Sequence, residues 1–491
     1  MRLNIFIIAL LLFNIAYSYT ISGTIIDKTS GEPLPYCNIM IANTERGTAT
    51  DVNGYYIIPN VSNGDYTLIV LMIGYEKSEQ KINVNKNMRI NFELVPQPIQ
   101  SDEIKVSAER MRFEKRVDVS RVNLTNQEIR KAPAFIEADL FRTLQLLPSV
   151  NASNDFNAAL IVRGGSPDEN LILLDGTEIY NPYHIGGVFS TFNADMISDS
   201  EFLAGGFPAN YGGRLSSVLN VTAREGDSRN GVLKSKDFNT ISKFIDFSKG
   251  SGDISLLSSK IMAEGFLYNG SWMFSARRTY FDKFVDAYYK YYKDETTPSN
   301  YYFWDTHFKA KTSLNNSNQF IYSQFSGKDD LFLSLGGNGF PSINFNWDWG
   351  NNTKSLTWKF IPNYNYIINT SISKTEYDFN VNFGVDFTTI SSDPVDSTEI
   401  LAEDGAPDLT VKIDNIVEDI DLKQNIKYIF SDNLSFDAGW QLKYLNLSFN
   451  RNFIGSLFEL GSKPEIQSTF ISSTWNPFPL LYLNTGFRLS K

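Results

Sequence analysis

Cysteine is nearly absent: Cys37 stands alone among 491 residues, so no intramolecular disulfide staples the chain and no thiolate cluster can hold a metal. It lies too far from the N-terminus to be a lipoprotein cysteine, which leaves a small buried core residue. Histidine is scarce as well, with only His184 and His307. Neither belongs to an H-E-x-x-H, no G-x-S-x-G elbow accompanies them, and the glycine pairs fit neither G-x-G-x-x-G nor G-x-x-x-x-G-K-[ST]. Zinc chemistry, a serine triad and a phosphate loop all lack their residues. The expectation is a protein that is not an enzyme and carries no metal or other cofactor. Past the N-terminus no apolar run approaches the ~20 residues of a membrane helix. Basic residues are in deficit, 44 Lys and Arg against 55 Asp and Glu for a net charge of −11, which argues against nucleic acid as a partner.

What is present is organised in segments, as a length too great for one compact domain requires. Arg2, the apolar run Ile5 to Phe13 and the small-x-small Ala16-Tyr17-Ser18 read as a signal peptide over 1–18, with the mature chain starting at Tyr19. A membrane anchor competes, but the apolar core is too short to span a bilayer. Residues 19–95 read as short strands between turns: "ISGTIID", "CNIMIANT", "DVNGYYIIPNV", "NGDYTLIVLMIGY" and "RINFELV". Asn53-Gly54 and Asn63-Gly64 suit tight turns, and Tyr66, Leu68 and Val70 mark one buried face, so a small β-sandwich is expected. Residues 96–110 break this texture with Pro96 and Pro98. Within them Asp102 to Ala108 is an extended segment able to add as a strand to a partner's sheet edge, with a plain acidic linker as the alternative.

Residues 111–227 mix helix and strand. Thr125-Asn126-Gln127-Glu128 is a T-x-x-E capping box, and a second helix should carry Leu140, Leu144 and Leu147 on one face and stop at Pro148. The strands "ALIVRGG" and "ENLILLDGTEI" follow, with Asp175-Gly176 read as a turn rather than as a catalytic aspartate. From 228 to 491 the alternation is long. Tyr377, Phe379, Val381, Phe383, Val385 and Phe387 alternate with polar residues, as do Leu434, Phe436, Ala438, Trp440, Leu442 and Tyr444. Runs of that length match strands of ~9–11 residues crossing a bilayer, apolar toward lipid and polar inward. Phe345, Trp347 and Trp349 are expected in an interfacial girdle, whereas a soluble sandwich would alternate over ~5–6 residues. About 10–14 candidate strands are expected here.

The stretch "LIVRGGSPDENLILLDGTEIYNPYHIGG" and "STFNADMISDSEFLAGGFPANYGGRLSSVLNVTAREG" resembles the plug of a TonB-dependent outer-membrane receptor. The pieces ISG, GEPLP, GTATDVNGYY and GDYTLIVLMIGY resemble the carboxypeptidase-regulatory-like, transthyretin-like domain that precedes the plug in Bacteroidetes receptors. The implied fold is mainly β: a small N-terminal β-sandwich, an α+β plug, then a partial antiparallel transmembrane β-barrel in the outer membrane of a Gram-negative bacterium. The resemblance implies a TonB box at Asp102, Glu103, Ile104, Lys105, Val106, Ser107 and Ala108, engaged by the TonB energy-coupling complex of the inner membrane. It implies that Arg163 and Arg214 lock the plug to barrel carboxylates, an ordinary turn arginine being the alternative. Tyr180, Tyr183 and His184 fall at the outward plug apex, facing substrate, with a structural turn histidine as the competing reading. The implied function is active uptake of a scarce large nutrient, against a rival in which an outer-membrane structural or adhesion protein uses the barrel as an anchor. Siderophore, cobalamin, glycan and peptide stay open, as does a surface lipoprotein partner. Tyr301, Tyr302, Phe303 and Trp304 fit ligand stacking and membrane anchoring equally. A family barrel of about 22 strands does not fit into residues 228–491, so the sequence is expected to be a fragment, a smaller barrel being the alternative.

Overall fold

The computed structural model describes residues 18–491 except 30, 45, 52–53, 98–119, 134–136, 153–156, 227–246, 293–298, 316, 338–339, 364, 387–408, 432 and 479–480. Leader residues 1–17, the whole 102–108 segment and Phe387 lie outside the described residues.

The N-terminal unit is a sandwich of two four-stranded sheets. Ser18–Asp27 pairs antiparallel with Tyr55–Ser62 and parallel with Met88–Arg89 and Phe92–Leu94. The facing sheet runs Gly47–Ala49, Asn38–Ile41, Gly64–Leu71, Ser78–Val84. Alternate side chains from both sheets, among them Ile21, Ile25, Ile39, Ile41, Tyr56, Leu68 and Val70, make its core, as period-2 burial between two sheets demands. Cys37 is fully buried there, and burial pushes its thiol up.

The central unit builds on a five-stranded mixed sheet in the order Thr177–Glu178, Asn170–Leu174, Ser217–Ala223, Ile197–Leu203, Arg121–Thr125. The capping box forms: Glu128 accepts from the Thr125 backbone N–H at 2.7 Å and opens the helix Asn126–Lys131. The second helix covers only Leu140–Leu144, capped by the Asp139 carboxylate. Leu147 lies beyond its end but still packs on the core with Leu140, Phe141 and Leu144. Asp175 and Gly176 take φ of +49° and +78° between paired strands, the signature of a two-residue type I′ hairpin loop.

Residues 249–490 form one antiparallel 12-stranded sheet that curves around the central unit, its strands following one another in chain order except that Ser456–Ser462 and Glu465–Phe478 both pair with Leu434–Phe453. Lys249–Ile254 and Leu481–Ser490 end the main path among the described residues, and Ser456–Ser462 is a short side branch. Several strands are twice the expected length, with 21 residues in both Phe340–Phe360 and Tyr366–Asp386. The extra length corrects the expected meaning of the alternation. In Phe340–Phe360 the lower half turns Leu356 and Trp358 outward, 45% and 37% exposed, while Thr353 and Ser355 are buried inward. In the upper half the apolar face is the inner one: Trp349 is 2% exposed and its indole N–H donates to the Tyr183 carbonyl at 3.2 Å. Trp349, Trp347 and Phe379 pack on one another on that inner side, so this aromatic set is not a lipid-facing girdle. In the next strand Ile372 is exposed outward, whereas buried Tyr377 receives the Asn181 amide of the plug. The apolar side thus switches near Gly350 and near Lys374. Below the switch the outer wall suits lipid. Above it the strands stand clear of the membrane, polar toward water and apolar toward the plug apex. Leu434 to Tyr444 lies below the switch, and there the expected sense holds: Phe436 and Tyr444 are exposed while Lys443 points in.

Candidate functional site

The contact between plug and wall is built from charges, and its most buried part centres on His184. The strand Tyr183–His184 carries this imidazole, 0% exposed, into the wall. Its Nδ1 lies 2.6 Å from Asp329 and its Nε2 3.0 Å from Asp305, both on barrel strands. Only the imidazolium can donate from both nitrogens at once. Burial opposes that charge, but the two carboxylates outweigh it and push His184 up to about 9. The ring stacks on Phe303 at 3.8 Å and 10°, and the Arg277 guanidinium lies 4.9 Å from the same ring. Arg277 in turn binds Asp305 at 2.6 Å and, across the interface, Glu137 of the plug at 2.6 Å, which Lys260 also reaches at 2.6 Å. Tyr301 donates to Asp329. Tyr301 and Phe303 therefore face inward as part of this network, while Tyr302 turns to the outer face of the same strand, Asn300–Asn315.

The apex expectation is corrected by these contacts. His184 is not presented to solvent because two buried aspartates claim it. Tyr183 is 9% exposed, and its hydroxyl accepts from the Leu160 N–H at 3.3 Å. Tyr180 donates to Asp419 at 2.9 Å and exchanges two backbone hydrogen bonds with the Asn351 amide, at 3.1 and 2.6 Å.

The expected arginine locks are also placed differently. Arg163 adopts φ +50° and donates to Ser120 at 2.7 Å, inside the plug. Arg214 binds Glu178 of the plug at 2.7 Å and, among the described residues, its ion-pair link to the wall runs through that carboxylate, which is shared with Lys443 of the barrel at 2.5 Å. Lys443 also holds Asp419 at 2.7 Å. The polarity across much of this contact is the reverse of that expected: the plug offers carboxylates and the wall supplies cations. Asp175 accepts from Lys309 and from Ser323, each at 2.7 Å, and although burial would raise its carboxyl, Lys309 and His307 hold it well below the usual range. Glu225 pairs with Lys311. A further wall arginine, Arg488, donates to the Asn210 carbonyl at 3.1 Å and lies close over Gly212, so a Cβ there would have to push its guanidinium aside. A cavity of about 600 Å³ remains between plug and wall, bordered by Glu178, Tyr180, Asn210, Lys423, Lys443 and Arg488.

Glu137, Glu178 and Asp175 escape a reading of the sequence because their barrel partners are more than 80 residues away, and Asp175 already has a plain local role as a turn residue. Lys309 and Lys311, two apart on one strand, are the sequence signal nearest to these pairs. The I′ loop sets the aim of Asp175. Nothing lies within 4 Å of a Cβ at Gly176, so Gly176→Val strains only the backbone. We expect it to lower stability by about 1–2 kcal/mol, read as a drop in the thermal midpoint, with Gly176→Asn losing much less.

The N-terminal sandwich joins the same assembly. Glu32 pairs with Arg224 at the end of the plug, and Arg224 also holds the fully buried Glu264 of the wall at 3.1 Å. Asp51 binds Lys359 at 3.0 Å, and Tyr55 and Ile57 pack on Ile361, Ile367 and Ile429 at the tight strand connections. Among the described residues no cluster of three or more His, Cys, Asp or Glu side chains is arranged to hold a metal ion.

Comparison with known proteins fits this architecture. Residues 21–106 match the CarboxypepD_reg-like domain and residues 114–217 the TonB-dependent receptor plug domain. Over 227 residues the chain is 25% identical to the TonB-dependent transporter Oar of Myxococcus xanthus, covering 43% of this chain and 21% of that protein. The solved copper transporter OprC superposes with a TM-score of 0.50 at 13% identity, covering 76% of this chain and 55% of that one. The ferric yersiniabactin uptake receptor FyuA of Yersinia pestis gives 0.47 at 11% identity, over 74% and 63%. The chain spans less than two thirds of the length of each of these relatives. The chain thus carries a CarboxypepD_reg-like domain followed by a TonB-dependent receptor plug domain, with a long antiparallel sheet wrapped around that plug, the architecture of the outer-membrane β-barrel proteins of Gram-negative bacteria.

Proposed function

We propose that the chain serves active uptake of a scarce large nutrient, with the plug closing the lumen and inner-membrane TonB engaging Asp102 to Ala108 to displace it. The observation that carries this reading is the chemistry of the plug–wall contact. Asp175 with Lys309, Glu178 with Lys443, Glu225 with Lys311, Glu137 with Arg277 and His184 with two aspartates are separable pairs. Water can replace each partner when the plug moves, whereas a shared apolar core would resist displacement. Among the described residues, Met273 and Phe325 are the wall residues that enter the plug's apolar core. A barrel that merely anchors an adhesin has no use for a filling that comes out. The nutrient belongs to one of the classes named above, and the cavity beside Lys443 and Arg488 is the path widened when the plug shifts.

Deletion of 102–108 in cells tests this. Transport and surface binding are measured for a panel of ferric siderophores, cobalamin, oligosaccharides and peptides, at matched surface levels. Uptake of the cognate compound should vanish while surface binding persists. Uptake that survives the deletion would sink the proposal and favour the anchor reading.

A further inference from the structure

We infer that the helix Phe281–Tyr292 is an interfacial helix whose aromatic stripe lies in the outer leaflet of the membrane, seated on the outside of the wall. The helix leaves the strand Gly270–Thr279 at its far end from the N-terminal sandwich. On that strand Ser275, Arg277 and Thr279 are buried inward, so Trp272, Phe274, Ala276 and Arg278 take the outward positions. The outward series is apolar up to Ala276 and charged at Arg278, which puts the rim of the lipid-facing zone three residues before the helix begins. Arg278 lies 4.7 Å from the Tyr302 ring on the outer face and binds Asp282 of the helix at 2.6 Å. Tyr280 occupies the next outward position, donates to the Ser258 carbonyl at 3.4 Å and packs edge-on against Phe284 at 5.6 Å. Both contacts draw the helix to the outside of the wall rather than over the lumen.

At 100° per residue the helix has three faces. Asp282, Val285 and Tyr289 are its buried or half-buried positions and turn to the wall. Lys283, Asp286 and Lys290 form a charged face, all exposed. Between them Phe281, Phe284, Tyr288, Tyr291 and Tyr292 make an aromatic stripe, each 50% exposed or more, with Tyr288 and Tyr292 in ring contact at 4.6 Å. A stripe of that size, continuous with the lipid-facing wall and flanked by lysines, has the composition of a helix lying at the headgroup boundary. Tyrosine suits that depth because its ring is apolar and its hydroxyl remains wet.

The test uses full-length chain in intact cells, with single cysteines introduced in a Cys37→Ser background and labelled with a membrane-impermeant maleimide. Tyr288→Cys should react about tenfold more slowly than Lys290→Cys two residues on, and Phe284→Cys more slowly than Asp286→Cys, because lipid shields one face only. In proteoliposomes, bimane at 288 should be quenched by headgroup-level nitroxide lipid and bimane at 290 by aqueous iodide. Equal maleimide rates in both pairs would overturn the inference and leave the stripe as a water-facing platform for a soluble ligand.

Discussion

Replacing His184 by leucine should destabilise the plug by about 3–5 kcal/mol, the loss that follows when one partner of a buried charge pair is removed. The leucine fills much of the same space against Phe303, so the cost is electrostatic: Asp305 and Asp329 remain buried, 3% and 2% exposed, with no cation between them. Asp305 keeps Arg277 and Asp329 keeps the Tyr301 hydroxyl, so neither is stripped bare, but both lose the imidazolium. Adding Asp329→Asn to the leucine variant should therefore recover part of the loss. The pH dependence has a definite sign. The folded imidazole titrates near 9 and the unfolded one near 6.5. Its contribution is then complete below pH 6.5 and is lost as pH rises through 9. A difference of that size corresponds to about 3 kcal/mol. Thermal unfolding in detergent followed by tryptophan fluorescence is the measurement, since Trp349 donates to the carbonyl of the residue preceding His184. Wild-type stability should fall between pH 6.5 and 9.5 by an amount that the leucine variant does not show. A variant with unchanged midpoint and the same pH profile as wild type would remove His184 from the latch.

The difference between what was legible in the sequence and what was not follows from range. The capping box at Thr125, the turn at Asp175-Gly176 and the two-sheet sandwich are decided by neighbours within a few residues, and each forms as its residues require. Strand identity was legible for the same reason, but strand orientation was not. Tyr377 to Val385 and Leu434 to Tyr444 have the same period and nearly the same composition, yet their apolar faces point in opposite directions, because the first run stands above the lipid and the second within it. No local signal separates them; the surroundings decide. The plug–wall pairs are the extreme case. Arg163 and Arg214 look the part in sequence, but along much of this contact the plug is acidic and the cations come from inward positions on the wall, His184 and Arg224 being plug cations held by wall carboxylates. At Asp175 the arrangement suits a residue that is already an aspartate for turn reasons.

Replacing Arg224 by alanine should release the N-terminal sandwich from the barrel. Arg224 is the one residue among the described ones that holds carboxylates of both other units, Glu32 and Glu264. Without it Glu264, fully buried, is left with Lys249 at 2.9 Å among the described residues, and Glu32 loses its arginine while staying under the same burial. The expected loss is again about 3–5 kcal/mol, now drawn from docking rather than from either fold, since the sandwich keeps its own core. Arg224→Lys keeps the charge without the fork that spans two carboxylates, so it should recover only part. Burial already raises the Glu32 carboxyl above its ordinary value, with Arg224 pulling it back. A raised carboxyl favours docking at low pH and weakens it as pH rises through the docked value. Removing the arginine pushes Glu32 higher still, so the alanine variant should dock only in acid. Spin labels at Ser62→Cys and Asn363→Cys, in a Cys37→Ser background, report the gap between sandwich and wall by pulsed electron resonance. Wild type should give one narrow distance at pH 5 and pH 8. Arg224→Ala should be narrow at pH 5 and broad at pH 8; a narrow distribution at both would mean that the Tyr55 and Ile57 contacts with Ile361, Ile367 and Ile429 hold the domain without the charge junction.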